Sequence, residues 1–340
     1  MINVGVLGAT GAVGQRFVQL LANHPWFRLT TLTASDRSAG KRYQDVVNWR
    51  LDVPFPEEVG SLVVEPTTVS AVSDLDIVFS ALPADIATTL ETDIAAAGVG
   101  VCSNASSHRM DRNVPLVVPE VNPDHLGLID VQRDKGTDGF IVANPNCSTI
   151  VLCLSLAPLM PFGFSNLTVA TMQAISGAGF QGIPPAMEIY DNVVPPYIGS
   201  EEEKMESEPL KIMGSFDGAE VQNAPFRVSA SCHRVPVIDG HTMAIWADTA
   251  APVADVIEAY KAYTPPISGL PHLPKESVNY TNEPNRPQPR LDRNRGGGMT
   301  VSVGRMREGL RYVAMGHNTI RGAAGASVLN AELIVSKKYV

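Results

Sequence analysis

The chain has 340 residues, 26 lysine or arginine against 35 aspartate or glutamate, and a formal net charge of −9. That balance speaks against nucleic acid or an anionic membrane as the partner. With 44% hydrophobic and 18% charged residues, the chain is too apolar for intrinsic disorder, and its length suits two domains.

Residues 2–7 read as a buried strand with no basic n-region ahead of it, so not as a secretion signal. The glycine turn Gly8–Gly14 follows, then a helix over 13–23 with Val13, Phe17, Leu20 and Leu21 at helical spacing. Further strands are expected at 28–33, 76–81, 98–102, 114–118 and 139–143, with a helix at 84–97. This alternation predicts an α/β, Rossmann-like dinucleotide-binding domain, with a mostly parallel sheet covered on both faces.

The rhythm changes near residue 147. An apolar helix runs to about 156, followed by long strands at 167–174, 226–234, 243–247 and 299–306. They predict an α+β domain with antiparallel pairing. The apolar stretch 150–160 holds Ser155 and Pro158 and falls well short of the ~20 residues of a membrane span. Ser200 to Lys204 carries a capping-box signature, with Ser200 as N-cap and Glu203 at N3. Pro209 should kink or end that helix about two turns in. The proline-rich stretch 264–298 reads as mostly irregular, and the tail 316–340 closes on an apolar helix.

Gly8, Gly11 and Gly14 follow a strand and open a helix. Glycine permits a sharp turn and close backbone approach, and the helix N-terminus offers free N–H groups to a pyrophosphate. The spacing G-x-x-G-x-x-G is a variant of the usual fingerprint. At the end of the second strand stands Ser35-Asp36-Arg37-Ser38. Arg37 between two hydroxyls favours the 2′-phosphate of NADP, whereas an Asp36 facing the ribose would favour NAD.

In Asn144-Pro-Asn-Cys-Ser-Thr149, Cys147 falls at a loop-to-helix junction. The helix dipole there favours a thiolate nucleophile, and Asn146 with nearby N–H groups can hold an oxyanion. A buried structural cysteine is the plainer reading of that hexapeptide by itself. His241, after the turn Asp239-Gly240, is placed for proton transfer, though a lone turn histidine is more often an exposed loop residue. Arg234 offers a two-pronged guanidinium to a carboxylate. Gln173 closes a strand before a glycine loop, and Glu201 and Lys204 share a helix face as a surface pair would. Cys102, Cys153 and Cys232 read as structural. No Cys-x-x-Cys pair or zinc spacing occurs, so no metal is expected and a reducing cytoplasmic compartment is.

Together these segments resemble the aspartate-semialdehyde dehydrogenase family, most closely its archaeal and fungal branch. The matching runs are Gly8–Gly14, Thr33–Gly40, Ser103–Arg109, Asn144–Thr149, Gln173–Gly179, Glu201–Lys204, Arg234–Thr242, Arg286–Asp292 and Gly316–Gly325. The resemblance implies reductive dephosphorylation of L-4-aspartyl phosphate by NADPH, giving L-aspartate 4-semialdehyde and phosphate. It assigns Cys147 as nucleophile, His241 as acid/base and Gln173 as the residue that orients the substrate. It gives Arg234 the substrate carboxylate, Glu201 the amino group, and Lys204 and Arg109 the phosphate. Cofactor contacts are expected from Gly8, Thr10, Gly11, Ala12, Val13, Ser35, Arg37, Ser38, Ser176, Gly177 and Asn318. It further implies a homodimer or homotetramer. The NADP domain is expected at 1–146 plus 316–340, with a catalytic and dimerisation domain at 147–315. Two other readings stand beside this one: a malonyl-CoA or succinyl-CoA reductase on the same scaffold, and a non-catalytic NADP-binding sensor.

Overall fold

The computed structural model describes all residues except Gln181, Ile183, Pro184 and Tyr197. The first sheet contains β1 (Ile2–Leu7), β2 (Phe27–Ala34), β3 (Val64–Pro66), β4 (Ile77–Ser80), β5 (Gly100–Ser103) and β6 (Phe140–Ala143). Their order is β3-β2-β1-β4-β5-β6, with every pairing parallel. Each residue of β4, β5 and β6 is buried, as expected of strands covered on both faces. One face is closed by α1 (Ala12–Leu21), α4 (Leu128–Asp134) and the C-terminal α10 (Gly325–Ser336), through Phe17, Leu21, Ile129, Val328 and Leu329. On the other face lies α3 (Ala84–Ala96), whose Ile94 joins a core continuous with the second sheet. A short α2 (Tyr43–Val46) follows β2.

The expected strand at 114–118 is absent; only an isolated bridge joins Leu116 to Ala143. Pro115 and Pro119 lack the N–H groups a ladder needs. β6 is therefore the edge on that side, and the opposite edge is the three-residue β3, too short to show a period.

The second sheet holds β7 (Asn166–Gln173), β10 (Arg227–Arg234), β11 (His241–Ala247), β12 (Val278–Thr281), β13 (Val301–Arg307) and β14 (Arg311–Gly316), in the order β10-β7-β11-β14-β13-β12. A small hairpin, β8 (Ser215–Phe216) with β9 (Val221–Gln222), precedes β10. The expected antiparallel pairing joins β7 to β11, β11 to β14 and β14 to β13, but the sheet is mixed: β10 runs parallel to β7 and β12 parallel to β13. Parallel neighbours need a crossover. Between β7 and β10 that crossover contains α6 (Ala186–Ile189) and α7 (Glu201–Ile212). β12 and the short α9 (Pro289–Asp292) lie in the stretch read as irregular, and α8 (Val253–Ala262) packs on β12 and β13.

Two helix expectations are corrected. Ser200 has the left-handed φ of 60° and makes no side-chain cap bond, so the capping box does not form. Pro209 sits inside α7, which continues to Ile212. The missing N–H costs one bond in the final turn, and contacts on both sides of the proline hold that turn in place, as described below. α5 (Cys147–Leu156) lies between the two sheets and is buried from Ser148 to Leu156. Among the described residues, no helix is long and apolar enough to cross a membrane.

Candidate active site

The site is built around the start of α5. β6 delivers the chain into Asn144-Pro145-Asn146, and Asn146 caps the helix: its Oδ1 accepts from the N–H of Ser148 at 2.9 Å and of Thr149 at 3.3 Å. Its Nδ2 donates to both oxygens of Glu201, at 3.1 and 3.2 Å, and its backbone N–H donates to Glu208 Oε2 at 2.7 Å. Cys147 is thereby fixed at the first helical position, half-buried at the edge of a cavity of about 630 Å³. Gly322 makes room for it, because a Cβ there would lie 2.7 Å from Cys147 Cβ.

Ninety-four residues along the chain, His241 opens β11 and places Nε2 3.1 Å from Cys147 Sγ. The backbone N–H of Ala174 donates to His241 Nδ1 at 3.0 Å. That bond assigns the neutral ring its proton on Nε2, so the imidazole presents an N–H to the sulfur. A second proton on Nδ1 would oppose the Ala174 N–H. Burial, followed by Arg234 and His317, holds the imidazole well below its usual range. The thiol is also held neutral. Burial and then the Glu201 carboxylate push it up to about 12, against the lowering effects of Arg234, Arg109 and the Ser148 N–H. The helix N-terminus therefore does not outweigh burial and Glu201 to make the thiolate that the local sequence suggests.

Charged groups line the same cavity on either side of the sulfur. Arg109, Glu201, Lys204 and Arg234 all contribute to its wall. Arg234 Nη1 donates to the Ala174 carbonyl at 2.6 Å. Lys204 Nζ donates to Glu201 Oε1 at 3.3 Å. Gln173 is buried at the end of β7, where its Nε2 donates to Ser148 Oγ at 2.9 Å and to Glu201 Oε2 at 3.3 Å. Register explains the grouping. β10 pairs with β7 so that Arg234 lies opposite Gln173, and β11 begins beside them at His241.

The glycine turn lies at the carboxyl ends of β1 and β2, where the strand order reverses between β1 and β4, the usual crevice for a dinucleotide in such sheets. Gly8 has φ +77°, and Gly11 is the N-cap of α1 with no side-chain cap bond. A Cβ at Gly14 would fall 2.1 Å from the Gly8 carbonyl oxygen. The first turn of α1 carries no acidic residue. The N–H groups of Gly8, Ala9 and Gly11 donate to the Thr33 and Gly8 carbonyls, so those at the start of α1 remain for a pyrophosphate, which fits the expected cofactor. Thr10 and Ala12 lie in the same turn. Ser35 and Arg37 stand exposed just past β2, with Ser38 partly covered. Val13, Ser176, Gly177 and Asn318 reach the cavity that holds Cys147. A Cβ on Gly177 would come 3.0 Å from Arg234 Nη1 and 3.2 Å from the His241 ring, so any side chain there would press on both groups.

The sequence did not single out several residues that hold these groups in place. Asp239 Oδ1 accepts from Ser176 Oγ at 2.7 Å, Asn318 Nδ2 donates to Ser176 Oγ at 2.8 Å, and Asn318 Oδ1 accepts from the Gly240 N–H at 2.8 Å. Arg16 of α1 lies 3.8 Å from Asp239, tying the cofactor helix to the histidine turn. Glu208 and Lys211 continue the α7 face begun by Glu201 and Lys204, and that helical spacing was the available signal.

The parallel sheet with its glycine turn, set beside this cysteine–histidine cavity, is the architecture of a dinucleotide-dependent dehydrogenase. Residues 3–129 match the family model described as semialdehyde dehydrogenase, NAD binding domain, and residues 156–321 match semialdehyde dehydrogenase, dimerisation domain. The chain belongs to the aspartate-semialdehyde dehydrogenase family, on its archaeal and fungal side. It is 56% identical to aspartate-semialdehyde dehydrogenase of Methanothermobacter thermautotrophicus, covering 98% of this chain and 99% of that one. With the Archaeoglobus fulgidus enzyme of the same name the identity is 53%, over 99% of each chain. The crystal structure of aspartate semialdehyde dehydrogenase with NADP from Candida albicans superposes with a TM-score of 0.91 at 43% identity, over 100% of both chains.

Proposed function

We propose that this protein reduces L-4-aspartyl phosphate to L-aspartate 4-semialdehyde, releasing phosphate, in the biosynthesis of the aspartate-family amino acids lysine, threonine and methionine. The observation that carries this reading is the 3.1 Å contact between Cys147 Sγ and His241 Nε2, flanked by paired cations and a carboxylate in one cavity. Bound NADPH supplies the hydride.

Cys147 Sγ attacks the acyl carbon while the thiol proton passes to the departing phosphate; the C–O bond to phosphate breaks, leaving a thioester on the protein and hydrogen phosphate as the leaving group. Arg109 and Lys204 offset the charge of the departing phosphate. Arg234 holds the substrate carboxylate and Glu201 its amino group, an opposite-charge pair that an acyl-CoA diacid does not need. Gln173, fixed by Ser148 and Glu201, orients the carbonyl. Once the thioester carbon has been reduced, the thiohemiacetal collapses and its C–S bond breaks. The Nε2–H of His241 then steadies the sulfur as it leaves, which is what its hydrogen-bonded tautomer prepares it to do.

Gly8, Thr10, Gly11, Ala12 and Val13 would cradle the pyrophosphate. Ser35, Arg37 and Ser38 would take the 2′-phosphate, and Ser176, Gly177 and Asn318 the nicotinamide end. The dinucleotide unit is taken as 1–146 with 316–340, because α10 packs on α1, β4 and β5. Residues 147–315 form the catalytic and dimerisation unit of a homodimer or homotetramer. The four free thiols support a cytoplasmic location.

Purified protein should oxidise aspartate semialdehyde with NADP only when phosphate or arsenate is supplied. Cys147→Ala should lower turnover by on the order of 10⁴-fold or more while still binding NADPH. Robust turnover with coenzyme A in place of phosphate would overturn the assignment in favour of an acyl-CoA reductase.

A further inference from the structure

One face of α7 carries Glu201, Lys204, Met205, Glu208 and Lys211, spaced by three and four residues. The first two line the cavity, but Glu208 and Lys211 are buried behind it. Glu208 divides its carboxylate between two parts of the site. Oε1 accepts from Arg109 Nη1 at 3.0 Å, and Oε2 accepts from the backbone N–H of Asn146, the residue that caps Cys147, at 2.7 Å. Arg109 is also held at Nη2, which donates to the Asn104 carbonyl at 2.9 Å, whereas its buried Nε has no protein partner. Lys211 secures the backbone of the same loop. Its Nζ donates to the carbonyls of Arg109, Asp111 and Val114, each at 2.8 Å. Pro209 lies between these two anchors.

We propose that Glu208 is a positioning residue for the phosphate side of the site, setting the Arg109 guanidinium and the nucleophile loop in one fixed relation through a single buried carboxylate. The inference rests on the reading of Arg109 as a phosphate cation. Arg109 is long and reaches the cavity from a loop, so without a partner its guanidinium would sample many rotamers. The Glu208 carboxylate takes one N–H of Nη1 and the Asn104 carbonyl one N–H of Nη2, which leaves the second N–H of each for an anion in the cavity that Arg109 lines. Because the same carboxylate grips the Asn146 N–H, the distance from phosphate to sulfur is set within one helix turn of α7.

The test is steady-state kinetics with aspartate semialdehyde, NADP and varied inorganic phosphate. Glu208→Gln keeps the size of the side chain and an acceptor for Asn146, but removes the charge on Arg109. Its phosphate KM should rise about tenfold, with the NADP KM within about twofold of the parent. Glu208→Asp, shorter but still charged, should fall between the two. In an Arg109→Ala background, Glu208→Gln should change the phosphate KM by less than about twofold, because Glu208 acts through Arg109. A raised phosphate KM in Arg109→Ala with none in Glu208→Gln would refute the proposal while leaving the role of Arg109 intact. An unchanged phosphate KM in Arg109→Ala would remove the underlying reading, and the proposal with it. Equal rises in the phosphate and NADP KM of Glu208→Gln would mean a general loosening of the fold, and would also refute it.

Discussion

The Cys147 thiol shows how several charges compete over one proton. Burial is the largest influence and Glu201 adds to it; together they outweigh two arginines and a helix N–H and hold the group near about 12. Glu201 therefore disfavours the thiolate form of Cys147. The sign can be checked. In Glu201→Gln the negative neighbour is gone, so the thiol pKa falls and the thiolate fraction at pH 8 rises. Alkylation of Cys147 by iodoacetamide should be roughly threefold to tenfold faster than in the parent. An equal or slower rate would place Glu201 outside the field of the sulfur. Proton placement also decides a second cluster, which no sequence spacing announced. His24, His272 and Glu332 bring three potential metal-ligating atoms within 4.8 Å of one another. His24 Nδ1 accepts from the N–H groups of Trp26 and Phe27, both at 3.1 Å, so its Nε2 carries the proton and donates to Glu332 at 2.8 Å. A ring in that tautomer offers no lone pair to a cation at Nε2. The cluster instead closes α10 onto the end of α1; burial is the largest single influence on Glu332 and raises it, but the bonds from His24 and from the His272 ring and backbone, with the His272 charge, together hold it below the usual carboxylate range.

At the scale of elements, the long amphipathic and apolar segments were legible and the short or proline-bounded ones were not. α1, α3, α5 and α10 follow from periodicity or from sustained apolar runs, and β1, β2 and β7 from strand-like runs flanked by turns. β3 and β12 offer three and four residues, too few to show a period. The capping box at Ser200 failed because the chain enters α7 through a left-handed residue, which turns the serine away from the helix N–H groups. Gly322 illustrates a constraint between elements. It belongs to the π-helical turn Ile320–Ala324 ahead of α10, yet what it must avoid is Cys147 at the start of α5. Gly322→Ala would drive a methyl group to 2.7 Å from Cys147 Cβ and 3.1 Å from its Cα. Overpacking of that kind should cost about 1–3 kcal/mol in urea unfolding, and kcat should fall more than NADP affinity because the displaced atom belongs to the nucleophile. A fully active, equally stable variant would show that the turn can retreat.

For the molecule as a whole, the two sheets share a core through α5, but the second sheet keeps one face half-open. Ala170, Met172, Thr242, Ala244 and Val313 are only partly covered there, and Trp246 is 40% exposed. Small and apolar residues on a broad sheet face suit burial against a second copy, as the dimerisation-domain match suggests. Sedimentation should give at least twice the 36.3 kDa of one chain, and Trp246→Glu should shift the distribution towards monomer. A parent protein that sediments as a single chain at micromolar concentration would rule out the assembly.

The chemistry proposed for this protein rests on short contiguous runs: a glycine turn after a strand, a cysteine at a helix start, a histidine after a tight turn. Residue type and local backbone geometry suffice to read the nucleotide fold, and the joint order of the runs carried the family resemblance; taken alone, the cysteine read as structural and the histidine as an exposed loop residue. Distances between runs were not accessible from the amino-acid order. The approach of His241 to Cys147, the tautomer set by the Ala174 N–H, and the sharing of Glu208 between Arg109 and Asn146 join residues 94, 67, 99 and 62 positions apart. Only the packing of two sheets around one buried helix brings them together, because hydrogen-bond and Coulomb energies depend on separation in space and not on separation along the chain.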